Sequence, residues 1–133
     1  LAWSALLTLA LALPYATGLI LERGLWTMMG NRENFAPVTG WKDRAIRAHR
    51  NMIENIAPFA AVVLAAHAAG VSNEMTVLGA ALFFWARVVH AIVFIAGIPV
   101  VRTLAYFVGV IGTVIVFLQL LGGAAEAMAP AAM

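Results

Sequence analysis

The sequence predicts an all-α integral membrane protein, a four-helix bundle protomer, and three observations carry that prediction. Of its 133 residues 64% are hydrophobic and only 11% charged. Mean hydropathy is +0.96, far above that of an average soluble domain. The apolar residues fall into four stretches, each at least the roughly 20 residues that cross a hydrocarbon core.

The first stretch runs from Leu1 to about Met28. A secretory signal peptide is the competing reading, but no basic segment precedes the apolar run, which continues through Ile20 and Leu21, so it reads as a span. The second runs from about Asp43 to Gly70, the third from about Glu74 to Gly97, and the fourth from about Val100 to Gly122. Pro14 and Pro58 fall inside spans, where each removes a backbone donor and predicts a kink. Ser72 or Asn73 is placed to cap the third helix, and Pro99 suits the first turn of the fourth. The alanine-rich tail from Ala124 to Met133 contains Pro130 and is expected to fray. No repeat or linker divides the chain, which reads as a single domain over residues 1–133.

Net charge is +2, and its distribution matters more than its size. Arg23, Arg32, Lys42, Arg44, Arg47 and Arg50 cluster around the connection between the first two spans, whereas the turn from Gly70 to Met75 holds no Lys or Arg. The positive-inside rule then puts the first connection, with Arg102, on the cytoplasmic side and both termini on the other, in a bacterial inner membrane. Anionic lipid headgroups account for Arg23, Arg32 and Lys42. With no cysteine in the chain, a disulfide, a thiolate metal site and a cysteine nucleophile are excluded. Nor do the three histidines form a metal pair: His49 and His67 lie opposite the polar stripe of the second helix and His90 stands alone. Nothing in the pattern points to nucleic acid.

The most informative segment is Arg47-Ala-His49-Arg50-Asn51-Met-Ile-Glu54, which runs directly into Ile56-Ala-Pro58-Phe59. At 100° per residue Arg47, Arg50, Asn51 and Glu54 share one stripe. Charge carried into a membrane helix requires partners, either from other helices or from a polar ligand. The third span repeats the pattern with Arg87, His90 and Phe94 on one face, and Glu54 is the obvious carboxylate for a structural bridge to Arg87. On the fourth span Arg102 and Tyr106 stand near the headgroup level, while Ala105, Gly109 and Thr113 suit a seam of close helix packing. Several guanidinium groups, an amide, a carboxylate and a phenol fit a solute with two carboxylates and one ammonium. Arginines pair with carboxylates in bidentate geometry, and Glu54 can take the ammonium. A thiol on that solute near Arg102 would be held as thiolate.

These residues resemble the family of membrane-associated proteins in eicosanoid and glutathione metabolism (MAPEG), in a short bacterial form. Arg47-Ala-His-Arg50-Asn51-x-x-Glu54-x-x-x-Pro58-Phe59 is similar to the family's second-helix signature. Arg87-Val-Val-His90 and Arg102-Thr103-x-x-Tyr106 are similar to its third- and fourth-helix patterns, so the likeness covers about Lys42 to Tyr106. The resemblance implies a homotrimer that binds glutathione as cosubstrate between neighbouring protomers near the cytoplasmic side. It implies that Arg47, Asn51 and Glu54 bind the peptide, with Arg50, Arg87, His90 and Tyr106 around it, and that Arg102 stabilises the thiolate. The reaction expected is transfer to a lipophilic electrophile, or peroxide reduction, with the second substrate arriving from the membrane lipid. Phe94 departs from the pattern where several members place a tyrosine, and Thr103 where one isomerase branch has a serine. The alternative is a non-enzymatic accessory subunit of a larger bacterial membrane complex with the same fold. A third reading, a trimer whose polar stripes serve only as interhelical glue, leaves more cations than buried anions.

Overall fold

A computed structural model describes residues 1–31 and 35–128; among them the regular structure is all helix, with no strand. Arg32 and Pro130 lie outside the described residues.

The first stretch is divided. Helix α1 covers Ala2–Ala10 and α2 covers Ala12–Arg23, meeting at Leu11, whose φ of −66° and ψ of −17° remain in the right-handed helical region. The cause is Pro14, which has no N–H for the carbonyl of Ala10 and whose ring presses on the preceding turn. The path is interrupted rather than ended, since the Leu11 N–H still bonds the Leu7 carbonyl at 3.0 Å. A second break was not expected. Gly24 adopts φ 84° and ψ 148°, which ends α2 at Arg23 and makes Leu25–Met29 a separate short helix, α3. The apolar stretch to about Met28 is therefore not one continuous helix, and its part long and apolar enough to cross a membrane is Ala2–Arg23.

Helix α4 runs over Gly40–Ala68, α5 over Glu74–Ala96 and α6 over Pro99–Met128. A capping box fixes the start of α5: the Asn73 side chain accepts from the Thr76 N–H at 2.9 Å, and the Thr76 hydroxyl accepts from the Asn73 N–H at 3.0 Å. Its end is equally defined, with Gly97 left-handed at φ 85° and the Ile98 N–H closing back on the Val93 carbonyl at 2.9 Å. Pro99 then opens α6, which continues past Gly122 to Met128, beyond the expected end of the fourth span.

Ala2–Arg23, Glu74–Ala96 and Pro99–Gly123 are long and apolar enough to cross a membrane. Such a chain is an integral membrane protein. Helix α4 does not meet the same measure, because Lys42, Asp43, Arg44, Arg47, Arg50 and Glu54 crowd its first half and leave an apolar stretch only from Ile56 to Ala68. Of the four expected spans, three are apolar enough by this measure, and the fourth long helix packed with them is polar for half its length.

The core forms where α4 meets α5. Phe59 and Phe83 stack with ring centroids 3.8 Å apart and planes 7° from parallel, joined by Leu11, Met52 and Ala91. Between α5 and α6 the backbones approach at two glycines: a Cβ on Gly79 would stand 2.6 Å from the Gly112 carbonyl oxygen, and one on Gly112 2.6 Å from the Gly79 oxygen. The expected seam of Ala105, Gly109 and Thr113 is only partly realised, since Ala105 and Gly109 are buried but the Thr113 hydroxyl donates to the Gly109 carbonyl of its own helix. Helix α2 joins α4 through the Tyr15 hydroxyl and His49 Nδ1 at 3.0 Å, and through an ion pair of Lys42 with Glu22.

Candidate functional site

Three helices converge at one corner: the polar first half of α4, the last turns of α5 and the first turns of α6. Arg44 fastens the corner, donating from Nε to the Ile95 carbonyl at 2.8 Å. A cation at the C-terminal turn of a helix both satisfies a free carbonyl and complements the helix dipole. Sequence alone gave Arg44 no specific role beyond membership of a basic cluster, and no local pattern marks a contact made across so long a separation.

Inside that corner lies a cleft of about 440 Å³ lined by Asn51, His90, Phe94, Arg102, Thr103, Tyr106 and Phe107. Of the residues expected to form a site, Asn51, His90, Arg102 and Tyr106 come together here. Behind them Arg87, only 1% exposed, donates from Nη2 to Asn51 Oδ1 at 2.5 Å. Its Nε and Nη1 are buried with no hydrogen-bond partner among the described residues. The expected bridge from Arg87 to Glu54 is not formed. Glu54 instead accepts from Arg50 Nε at 3.2 Å one helical turn earlier, with both side chains largely exposed on the outer side of α4. The i, i+4 spacing satisfies Glu54 locally, and the helix turns Asn51 rather than Glu54 toward α5.

Arg47 occupies an intermediate position. Its Nη2 pairs with Asp43 at 2.8 Å, yet its guanidinium carbon lies 5.8 Å from the Phe94 ring centroid. Arg102 lies closer, at 4.6 Å from the same ring. His90, itself 3% exposed, meets Phe94 edge-on at 5.4 Å and 74°. Phe94, read from the sequence as the loss of a hydroxyl, is the residue around which these groups gather. Arg50 and Glu54 do not line the cleft.

The cleft is therefore cationic without an internal counter-charge. Among the described residues no carboxylate lines it, and neither Arg87 nor Arg102 has an ion-pair partner. Two unsatisfied N–H-bearing atoms on a buried guanidinium are costly unless an acceptor is brought to them. On its outer lip the Thr103 hydroxyl is turned back to the Pro99 carbonyl at 3.1 Å, and Phe107 is 55% exposed toward the apolar surface of α6.

The MAPEG family model matches residues 1–122. The chain belongs to the MAPEG family. The match extends beyond the motif-bearing stretch on α4 to α6 and takes in α1 to α3 as well, so the first span is part of the MAPEG unit. Neither a curated protein nor a solved structure matches the chain. Family membership accounts for the membrane helices; the arrangement of this MAPEG protein's cleft is what bears on its chemistry.

Proposed function

We propose that the protein is a glutathione-dependent membrane transferase or peroxidase acting on a lipophilic electrophile. The observation that carries this reading is a cleft that among the described residues holds cations and no carboxylate, backed by the buried Arg87 with two nitrogens unpartnered among them. Its volume falls in the range of small-molecule sites, about 300–1,000 Å³. Glutathione fits this donor set, having two carboxylates for guanidinium groups and an amide-bearing backbone for Asn51. Bound there, it would supply a thiol as nucleophile or reductant.

Arg102 is assigned to hold the sulfur as thiolate, since fixed positive charge in a partly dehydrated cleft favours the anion. Arg47, Asn51, Arg87, His90 and Tyr106 are assigned to binding and orientation. Phe107 and the exposed Leu104 beside the lip support a second substrate that arrives from the bilayer.

Arg50 and Glu54 reach a ligand only from outside the cleft of their own chain, which favours a site completed by a neighbouring copy. The exposed residues of α4 support that assembly: Arg47, Arg50, Glu54, Ala57, Ala61, Leu64 and Ala68 recur at alternating spacings of three and four, the pattern of a helix seam. A homotrimer packed on this seam, with Glu54 of one chain taking the ammonium of glutathione, is the assembly proposed. The basic connection would then face the cytoplasm.

The test is calorimetric and optical titration of the purified protein with glutathione, comparing wild type with Arg102→Ala. Binding heat with a thiolate absorbance that the variant loses is the expected result. No heat and no thiolate in the wild type would sink the reading, and stoichiometric copurification of a larger membrane complex would then favour an accessory role.

A further inference from the structure

Phe94 projects from the last turns of α5 into the cleft, where its ring meets Arg102 at 4.6 Å, Arg47 at 5.8 Å and the edge of His90 at 5.4 Å. Arg47 has a second anchor in Asp43. Arg102 has none: no side-chain hydrogen bond or ion pair holds its guanidinium among the described residues, so the aromatic face is what fixes it. A long, freely rotating cation is a poor preorganised binder, and ordering it only when a ligand arrives costs affinity. Stacking on a ring restricts it beforehand, and does so more strongly where water is excluded.

We propose that Phe94 is a positioning residue, a platform that holds the Arg102 guanidinium, with Arg47 beside it, over the cleft to receive an anionic sulfur or carboxylate. The inference rests on the thiol-peptide reading above and deepens it. What the position supplies is the face of the ring rather than a phenolic hydroxyl, so phenylalanine serves where a hydrogen-bonding tyrosine is not used. His90 braces the ring at its edge, which gives that buried imidazole a role in support rather than proton transfer.

The experiment compares wild type with Phe94→Leu, which removes the ring, and Phe94→Tyr, which keeps it. In the ligand-free protein, the side-chain NMR signal of Arg102, assigned by its loss in Arg102→Lys, should be displaced by the ring current in wild type and Phe94→Tyr. It should return to an ordinary position in Phe94→Leu. In a glutathione titration followed by thiolate absorbance, Phe94→Leu should weaken binding roughly 3- to 10-fold, the value of one such contact. It should also move thiolate formation to higher pH, and Phe94→Tyr should restore both. Where Phe94→Leu does not fold, Phe94→Met provides the ringless variant. An Arg102 signal that is undisplaced in wild type, or unchanged without the ring, overturns the proposal, as does a pH profile indifferent to the ring. A displaced signal in a wild-type protein that binds no glutathione overturns the function proposed above and leaves Phe94 as the residue that places Arg102.

Discussion

Arg87 Nη2 donates to Asn51 Oδ1 at 2.5 Å, so a guanidinium only 1% exposed is met by a neutral amide and, among the described residues, by no carboxylate. This choice of partner keeps the cleft positive. A carboxylate at the same place would neutralise Arg87 and compete with any incoming anion.

Asn51→Asp is therefore expected to stabilise the protein and to weaken anion binding at the same time. The checks are thermal unfolding in detergent and glutathione titration, with a rise in Tm accompanied by an affinity loss of tenfold or more, about the strength of one charged hydrogen bond. Asn51→Ala has the opposite effect on stability, costing about 1–3 kcal/mol because the buried guanidinium loses its acceptor.

Arg102→Ala should shift the pH dependence of any glutathione reaction in one direction. A fixed cation favours thiolate and lowers the thiol pKa; removing it raises that pKa, so the rising limb of rate against pH moves to higher pH. Steady-state rates across pH measure this, and an unmoved limb would assign thiolate formation elsewhere.

Gly79→Ala and Gly112→Ala should each destabilise the α5 and α6 pair by about 1–3 kcal/mol, since the new methyl meets backbone rather than a yielding side chain. Gly122→Ala is the control: a Cβ there meets nothing within 4 Å, and unfolding should be unchanged or delayed.

The cap of α5 by Asn73, one of the two candidates, and Pro99 at the start of α6 were legible because each depends on residues close in sequence; the reciprocal bond of Thr76 and the left-handed Gly97 were found only in the structure. Helical periodicity gave a stripe within each helix, and the family resemblance joined those stripes into one site; of the eight residues so joined, Asn51, His90, Arg102 and Tyr106 line the cleft. Gly24 was not legible as a break, since a single glycine within an apolar run is equally compatible with a continuous helix. The partner of Arg87 was misjudged for a different reason: charge pairing favoured Glu54, but Arg50 one turn away already satisfies it. Composition named the cations and could not say which amide or ring would hold them.

A bulky residue in the α4 seam should dissociate the proposed trimer. Ala61→Trp is the variant, read by native mass spectrometry and crosslinking, and retention of the same oligomer would place the interface on another helix.

The mixed character of α4 also bears on how the chain enters a bilayer. Its apolar portion from Ile56 to Ala68 falls short of the roughly 20 residues that partition independently, so α4 gains little by leaving water alone. Its C-terminal end is tied by a tight turn to α5, which is apolar enough to cross. Entry of α4 as one arm of a hairpin, drawn in by the helix that follows it, would carry its arginines to the interface, and the cleft would close only when α6 brings Arg102 and Tyr106 against them.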